Sequence, residues 1–275
     1  MEYTAVTMPA QGILYGETDV YTKRRTHMMN VCQSLSPMQV AYPPINPVIA
    51  IDAKHNFLFC LIAKCASASW KQIFRQLGNG SPQMKNITLL KFHEMSRNIN
   101  HVFTDYVKVV MVRHPFERFL SAYLNIVLAK LSIKRKLQNP SAMHRHITNM
   151  RTMFSLSESQ AVTFSHFVDY VLNTGAFNRH WAPYHTLCSP CKIHYDVIGK
   201  METISSDVDF ILRSVGMNGS VFPTALSRHR TQSSRRAKLR KYYNRLSKDQ
   251  INGLYEKYSV DFHLFGYEYP SWYGI

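Results

Sequence analysis

Two segments of this 275-residue chain share one arrangement of apolar and polar positions. The first begins with Asn56-Phe-Leu-Phe-Cys-Leu-Ile-Ala63, a short unbroken apolar run of the kind a strand has when both its faces are covered. Six mostly small residues, Lys64 to Ser69, follow, and then Trp70, Ile73, Phe74 and Leu77 recur at i, i+3, i+4 and i+7, which predicts a helix. The second begins with Tyr106-Val-Lys-Val-Val-Met-Val112. Arg113 and His114 stand at its end, and Pro115 suits the first turn of a helix whose apolar stripe is Phe116, Phe119, Leu120, Tyr123 and Val127.

Further helices are predicted over Thr163–Asn173, Ser205–Val215 and Ser247–Tyr258, the last with Ser247 and Gln250 as a capping box. Tyr195–Gly199 reads as another short strand. Strands alternating with helices predict an α/β sandwich around a mainly parallel central sheet. Pro37, Pro43, Pro44 and Pro47 predict an irregular arm over residues 1–50, followed by one globular domain over 51–275.

Composition narrows the partners. A formal charge of +16, from 33 Lys and Arg against 17 Asp and Glu, predicts a field that attracts polyanions. The densest basic run is Ser233–Lys241, which reads either as a solvated helix face or as a binding stripe. Zinc-finger spacing, basic zipper heptads and ribonucleoprotein aromatics are all missing, so nucleic acid is not expected as a partner. No apolar stretch approaches the roughly 18 residues of a membrane span, and the first residues lack a signal-peptide pattern. The sequons Asn86-Ile-Thr88 and Asn218-Gly-Ser220 are glycosylation acceptors if the chain enters the secretory pathway.

Five cysteines allow at most two internal disulfides. Cys188-Ser-Pro-Cys191, with His180, His185 and His194 nearby, lacks the second Cys pair of a zinc site. A structural disulfide there is expected, with Cys32 paired to Cys60 or Cys65.

In an open α/β sheet, ligands lie beyond the carboxyl ends of the strands, where helix N-termini present free N–H groups. Lys64, Ser67 and Ser69 offer a cation, two hydroxyls and small neighbours, which suits a terminal phosphate. The order is not that of a Walker A loop, because the Lys precedes the small residues. Arg113, at the second strand end, with Arg118 and Ser121 on one helix face, is placed to grip a second phosphate.

These residues carry a resemblance. Ile62-Ala-Lys-Cys-Ala-Ser-Ala-Ser-Trp-Lys71 is similar to the 5′-phosphosulfate loop of Golgi carbohydrate sulfotransferases, and Val112-Arg-His-Pro-Phe-Glu-Arg-Phe-Leu-Ser-Ala-Tyr123 is similar to their 3′-phosphate motif. Phe177–Trp181, Leu187–Cys191, Tyr195–Thr203, Phe222–Thr224 and Leu254–Tyr267 follow in the same order. From about Arg25 onward the chain resembles the chondroitin and dermatan 4-O-sulfotransferase and HNK-1 sulfotransferase family.

The resemblance implies a P-loop-like three-layer sandwich, a 3′-phosphoadenosine-5′-phosphosulfate donor, no metal, a chondroitin- or dermatan-like acceptor and a Golgi location. It implies that Lys64, Ser67 and Ser69 hold the phosphosulfate, with Lys64 countering charge on the bridging oxygen, and that Arg113 and Ser121 hold the 3′-phosphate. For the general base, His93, Glu94 and His101 lie between the loops, with His93 first. Ala63, Ser67 and Ala68 replace the family's usual Pro, Cys and hydroxyl residue, and His114 replaces an acid. Those changes raise the alternative of a paralogue that binds nucleotide or anionic glycan without transfer.

Overall fold

The computed structural model describes residues 19–36, 48–77, 87–91, 106–128, 142–217 and 231–269. Five strands, β1 (Val48–Asp52), β2 (Phe57–Cys60), β3 (Ile87–Lys91), β4 (Val107–Val112) and β5 (Val197–Lys200), form one sheet in the order β3-β1-β2-β4-β5. β2, β4 and β5 are parallel neighbours, and β1 runs antiparallel to both β2 and β3. Four strands therefore point one way and only β1 is reversed, which makes the sheet mainly parallel, as the alternating pattern predicts.

The helices are α1 (Asp19–Ser34), α2 (Ser67–Leu77), α3 (Pro115–Ala122), α4 (Ala142–Met153), α5 (Phe164–Thr174), α6 (Tyr184–Cys188), α7 (Pro190–Ile193), α8 (Ile204–Ser214), α9 (Arg236–Tyr243) and α10 (Lys248–Leu264). β2 is apolar throughout, and β4 is apolar apart from Lys108 near its start, because helices cover both sheet faces. On one face, Phe57 and Phe59 pack against Trp70 and Phe74 of α2. Gly199 permits close contact there: a Cβ at that position would meet Met111 Sδ at 2.1 Å and Ile211 of α8 at 3.3 Å. On the other face, Cys60 is bonded to Cys188 of α6. A second core, formed by α3, α4, α5, α9 and α10, packs around Phe119, Phe167, Trp181 and Tyr258.

The arm expected over residues 1–50 contains a 16-residue helix, α1, and the first strand starts at Val48. The prolines begin at Pro37, so a helix fits before them. Its inward stripe is thin, and one stripe position holds a charge, which is why no apolar period announced it. Arg24 bonds Asp207 at 2.7 Å and the Ile198 carbonyl at 3.0 Å, and Tyr21 donates to Asp207 at 3.0 Å. Asp207 is 1% exposed, so this ion pair holds α1 against α8 and β5.

The cysteines pair differently from the expectation. The disulfides are Cys32–Cys191 and Cys60–Cys188, and Cys65 is a free, buried thiol. Ser189, with φ of +43°, separates α6 from α7, so Cys188 faces the sheet while Cys191 faces α1. With both cysteines oxidised, a zinc site at this motif is excluded.

Replacing Cys32 and Cys191 by Ser is expected to destabilise the protein by about 2–4 kcal/mol in denaturant titrations. Hydrogen exchange should accelerate in α1 while the β2 and β4 amides stay protected.

Candidate functional site

The first loop leaves β2 at Cys60 and enters α2 at Ser67. Lys64 and Ala66 both adopt left-handed backbone, with φ of +73° and +54°, a conformation non-glycine residues take at a cost of about 1–3 kcal/mol each. That turn directs the loop over the N-terminus of α2, whose first N–H groups have no partner within the helix. Ser67 and Ser69 are half-buried, and neither hydroxyl is hydrogen-bonded among the described residues. Lys64 Nζ donates to Asn125 Oδ1 at 2.7 Å. Burial, with Arg113 second, lowers the Lys64 pKa to about 8.

The second loop follows β4, parallel to β2 and paired with it, so both loops emerge from the same edge. Pro115 opens α3 without an N–H to leave unpaired. Arg113 Nε bonds Glu117 at 3.1 Å, and Arg113 Nη2 donates to Ser233 at 2.9 Å and Ser234 at 2.6 Å. Ser121 Oγ lies 3.1 Å from Thr231 Oγ1, itself 3.0 Å from Ser233 Oγ. The two residues proposed to hold the 3′-phosphate are therefore brought together by one hydroxyl-rich segment, Thr231–Ser234. Arg113 Nη1 has no partner among the described residues, which leaves a donor pair for an anion beside Ser121. Glu117, whose pKa burial raises against the pull of Arg113, is the counter-charge in this cluster.

Arg118 does not join them. Its side chain is 1% exposed and donates to the carbonyls of Ala63 at 3.1 Å, Ala182 at 2.6 Å and Arg179 at 3.4 Å. Its guanidinium turns into the core, away from the Thr231–Ser234 hydroxyls, and its donors fasten the first loop. Its guanidinium also stacks on Tyr184, 4.7 Å from the ring centre.

Tyr184 links the two loops. Its hydroxyl accepts from the Arg113 N–H at 3.1 Å, donates to the Arg113 carbonyl at 2.8 Å and lies 3.5 Å from Cys65 Sγ. Asp261 in turn accepts from the Tyr184 and His185 N–H groups at 2.6 and 3.0 Å, fixing the start of α6.

His114 packs edge-on against Phe116, Phe262 and Tyr267, and burial lowers its pKa to about 4. It is neutral at physiological pH and supplies packing rather than charge. The nearby carboxylate is Glu202, which accepts from the His114 N–H at 2.8 Å.

His93, Glu94 and His101 lie outside the described residues, as do Phe222–Thr224, Asn86 and the second sequon. Sequence reasoning missed Asn125, Tyr184, Thr231, Ser233 and Ser234. Asn125 was detectable as a polar residue inside an apolar run, on the π-helical turn Tyr123–Leu128 that widens the end of α3. The others come from segments distant in sequence. Among the described residues no group of His, Cys, Asp or Glu could hold a metal ion.

Two outcomes are expected. Below pH about 8 the free protein keeps Lys64 charged, and above it the cation is lost. Calorimetric affinity for adenosine 3′,5′-bisphosphate should then fall by up to about tenfold per pH unit, and Lys64→Arg should flatten that fall. Tyr184→Phe keeps the stacking ring but leaves the Arg113 backbone groups unpaired. It should cost about 1–3 kcal/mol of stability and lower nucleotide affinity on the order of tenfold. Tyr195→Phe removes an equally buried hydroxyl, bonded to the Cys188 carbonyl, and should leave nucleotide affinity unchanged.

Comparison with known proteins agrees with this geometry. The profile of the Sulfotransferase family matches residues 47–268. Carbohydrate sulfotransferase 11 of Rattus norvegicus is 29% identical over 287 residues, covering 96% of this chain and 80% of its own. Carbohydrate sulfotransferase 10 of Homo sapiens is 27% identical over 281 residues, covering 92% and 77%. No solved structure matches. The family profile spans both loops, the Tyr184 bridge and the strands that position them, and the chain belongs to the sulfotransferase family.

Proposed function

We propose that the protein transfers a sulfuryl group from 3′-phosphoadenosine-5′-phosphosulfate, the donor its family implies, to a hydroxyl of a glycosaminoglycan-type glycan, with chondroitin or dermatan 4-O-sulfation as the reaction. The observation that carries this reading is the pair of phosphate-suited loops at the carboxyl ends of adjacent parallel strands, cross-tied by Tyr184 and Arg118. The relatives are named as carbohydrate sulfotransferases, and the +16 charge suits an anionic donor and a uronate-bearing acceptor alike.

In this reading Ser67, Ser69 and the first amides of α2 orient the phosphosulfate, and Lys64 offsets the negative charge that builds on the bridging oxygen. Arg113 and Ser121 hold the 3′-phosphate. His93 takes the proton from the acceptor hydroxyl. Two disulfides support an oxidising compartment, and we assign the Golgi lumen. Among the described residues no helix is long and apolar enough to cross a membrane.

Titrating adenosine 3′,5′-bisphosphate into the wild type should show binding that Arg113→Ala abolishes. Labelled sulfate should appear on chondroitin or dermatan. His93→Ala should retain nucleotide binding and lose transfer by about 100-fold or more. Nucleotide binding without transfer to any glycan would point instead to the non-transferring paralogue.

A further inference from the structure

The basic run that the sequence left open between a solvated face and a binding stripe is now placed. From Thr231 to Lys248 the chain carries seven cations and no carboxylate. At the chain's own ratio of 33 cations to 17 acids, seven cations would come with three or four carboxylates. Arg235, Arg236, Arg240, Lys241 and Arg245 are all exposed, and none forms an ion pair among the described residues. On α8, by contrast, Arg213 meets Asp209 one turn away at 2.7 Å.

The charge at its start is unfavourable for α9 as a helix. Arg235 is its N-cap, with no side-chain capping bond, Arg236 is its first residue, and the first turn holds no acid. Cations there oppose the helix dipole, and Arg236 and Arg240 are like charges one turn apart. Arg240 and Lys241, in the last turn, suit the dipole, but among the described residues no carboxylate offsets Arg235 and Arg236 at its start, which is the mark of a residue set kept for a ligand.

The helix is nonetheless firmly seated beside the donor site. Leu239 and Tyr243 are buried, Tyr243 stacks on Phe116 of α3 at 5.1 Å, and its hydroxyl donates to the Phe116 carbonyl at 2.7 Å. The first of the exposed cations directly follows Ser234, which bonds Arg113 and Glu117. Lys238 Nζ ties the helix back to the Thr231 carbonyl at 2.8 Å.

We propose that the outward face of α9, formed by Arg235, Arg236, Arg240 and Lys241 and continued by Arg245, is where the anionic acceptor glycan rests while one of its hydroxyls enters the donor site. The proposal rests on the glycan-acceptor reading above and adds its docking surface. Arginines offer paired donors to carboxylate and sulfate groups. The face lacks the exposed aromatic side chains that stack nucleic-acid bases and the apolar side that a membrane-lying helix needs.

The test compares wild type with the triple variant Arg236→Glu, Arg240→Glu, Lys241→Glu, and with a control triple of equal charge change, Lys54→Glu, Lys192→Glu, Lys257→Glu, at exposed sites elsewhere. Chondroitin is the acceptor probe, with duplex DNA as the competing polyanion. The α9 triple should raise the acceptor KM on the order of tenfold and reduce its salt dependence. Its affinity for adenosine 3′,5′-bisphosphate should match wild type, and the control triple should leave the acceptor KM near the wild-type value.

Equal loss in both triples would mean only long-range steering and would overturn the proposal. An unchanged acceptor KM in the α9 triple, with wild-type transfer intact, would overturn it while leaving the sulfotransferase reading standing. Loss of DNA binding without loss of chondroitin binding would assign the face to nucleic acid and overturn it. If wild type sulfates no anionic glycan, the acceptor reading and the docking surface fall together.

Discussion

The two loops proposed to hold the nucleotide leave different strands, and one small ligand can span them only if their spacing is fixed, which the hydroxyl of Tyr184 helps to set. That one atom is bonded to the Arg113 backbone on one side and touches Cys65 on the other. The Arg118 guanidinium lies on the ring of Tyr184 and reaches the Ala63 carbonyl. β2 and β4 set the loops side by side, and α6, anchored by Asp261, locks them. A mobile version of either loop would pay the ordering entropy on binding; here it has been met in folding.

The same site keeps its cations partly out of water. Burial holds Lys64 near the point of deprotonation, and Arg113, 8% exposed, is bonded by Glu117 and the hydroxyls of Ser233 and Ser234. A phosphate bound as proposed would meet donors already oriented and partly dehydrated, where Coulomb attraction is stronger than in water. Arg113 combines both parts of the proposed site, because its backbone is gripped by Tyr184 while its guanidinium lies among the Ser233 and Ser234 hydroxyls.

The elements legible in the sequence were those whose pattern is local. β2 is an unbroken apolar run and β4 one interrupted only by Lys108, α2 and α3 carry full apolar stripes, and Ser247 with Gln250 marks the start of α10. α1 was hidden because Arg24 occupies a stripe position and is satisfied by Asp207, 183 residues away. The disulfide partners were hidden for a similar reason: adjacent cysteines at 188 and 191 diverge at Ser189. At the site, Lys64, Ser67, Ser69, Arg113 and Ser121 stood out by residue type and by position after a strand. Arg118 was grouped with them from its spacing, and its bonds to three backbone carbonyls emerge only in the folded chain. Tyr184 and the Thr231–Ser234 hydroxyls could be found only in three dimensions.

The most direct measurement is a crystal structure with adenosine 3′,5′-bisphosphate bound. The 5′-phosphate is expected on Lys64, Ser67, Ser69 and the first amides of α2, and the 3′-phosphate on Arg113 and Ser121, with the Tyr184 bonds intact. A nucleotide bound elsewhere, or one that leaves Arg113 untouched and breaks the Tyr184 bridge, would contradict that placement.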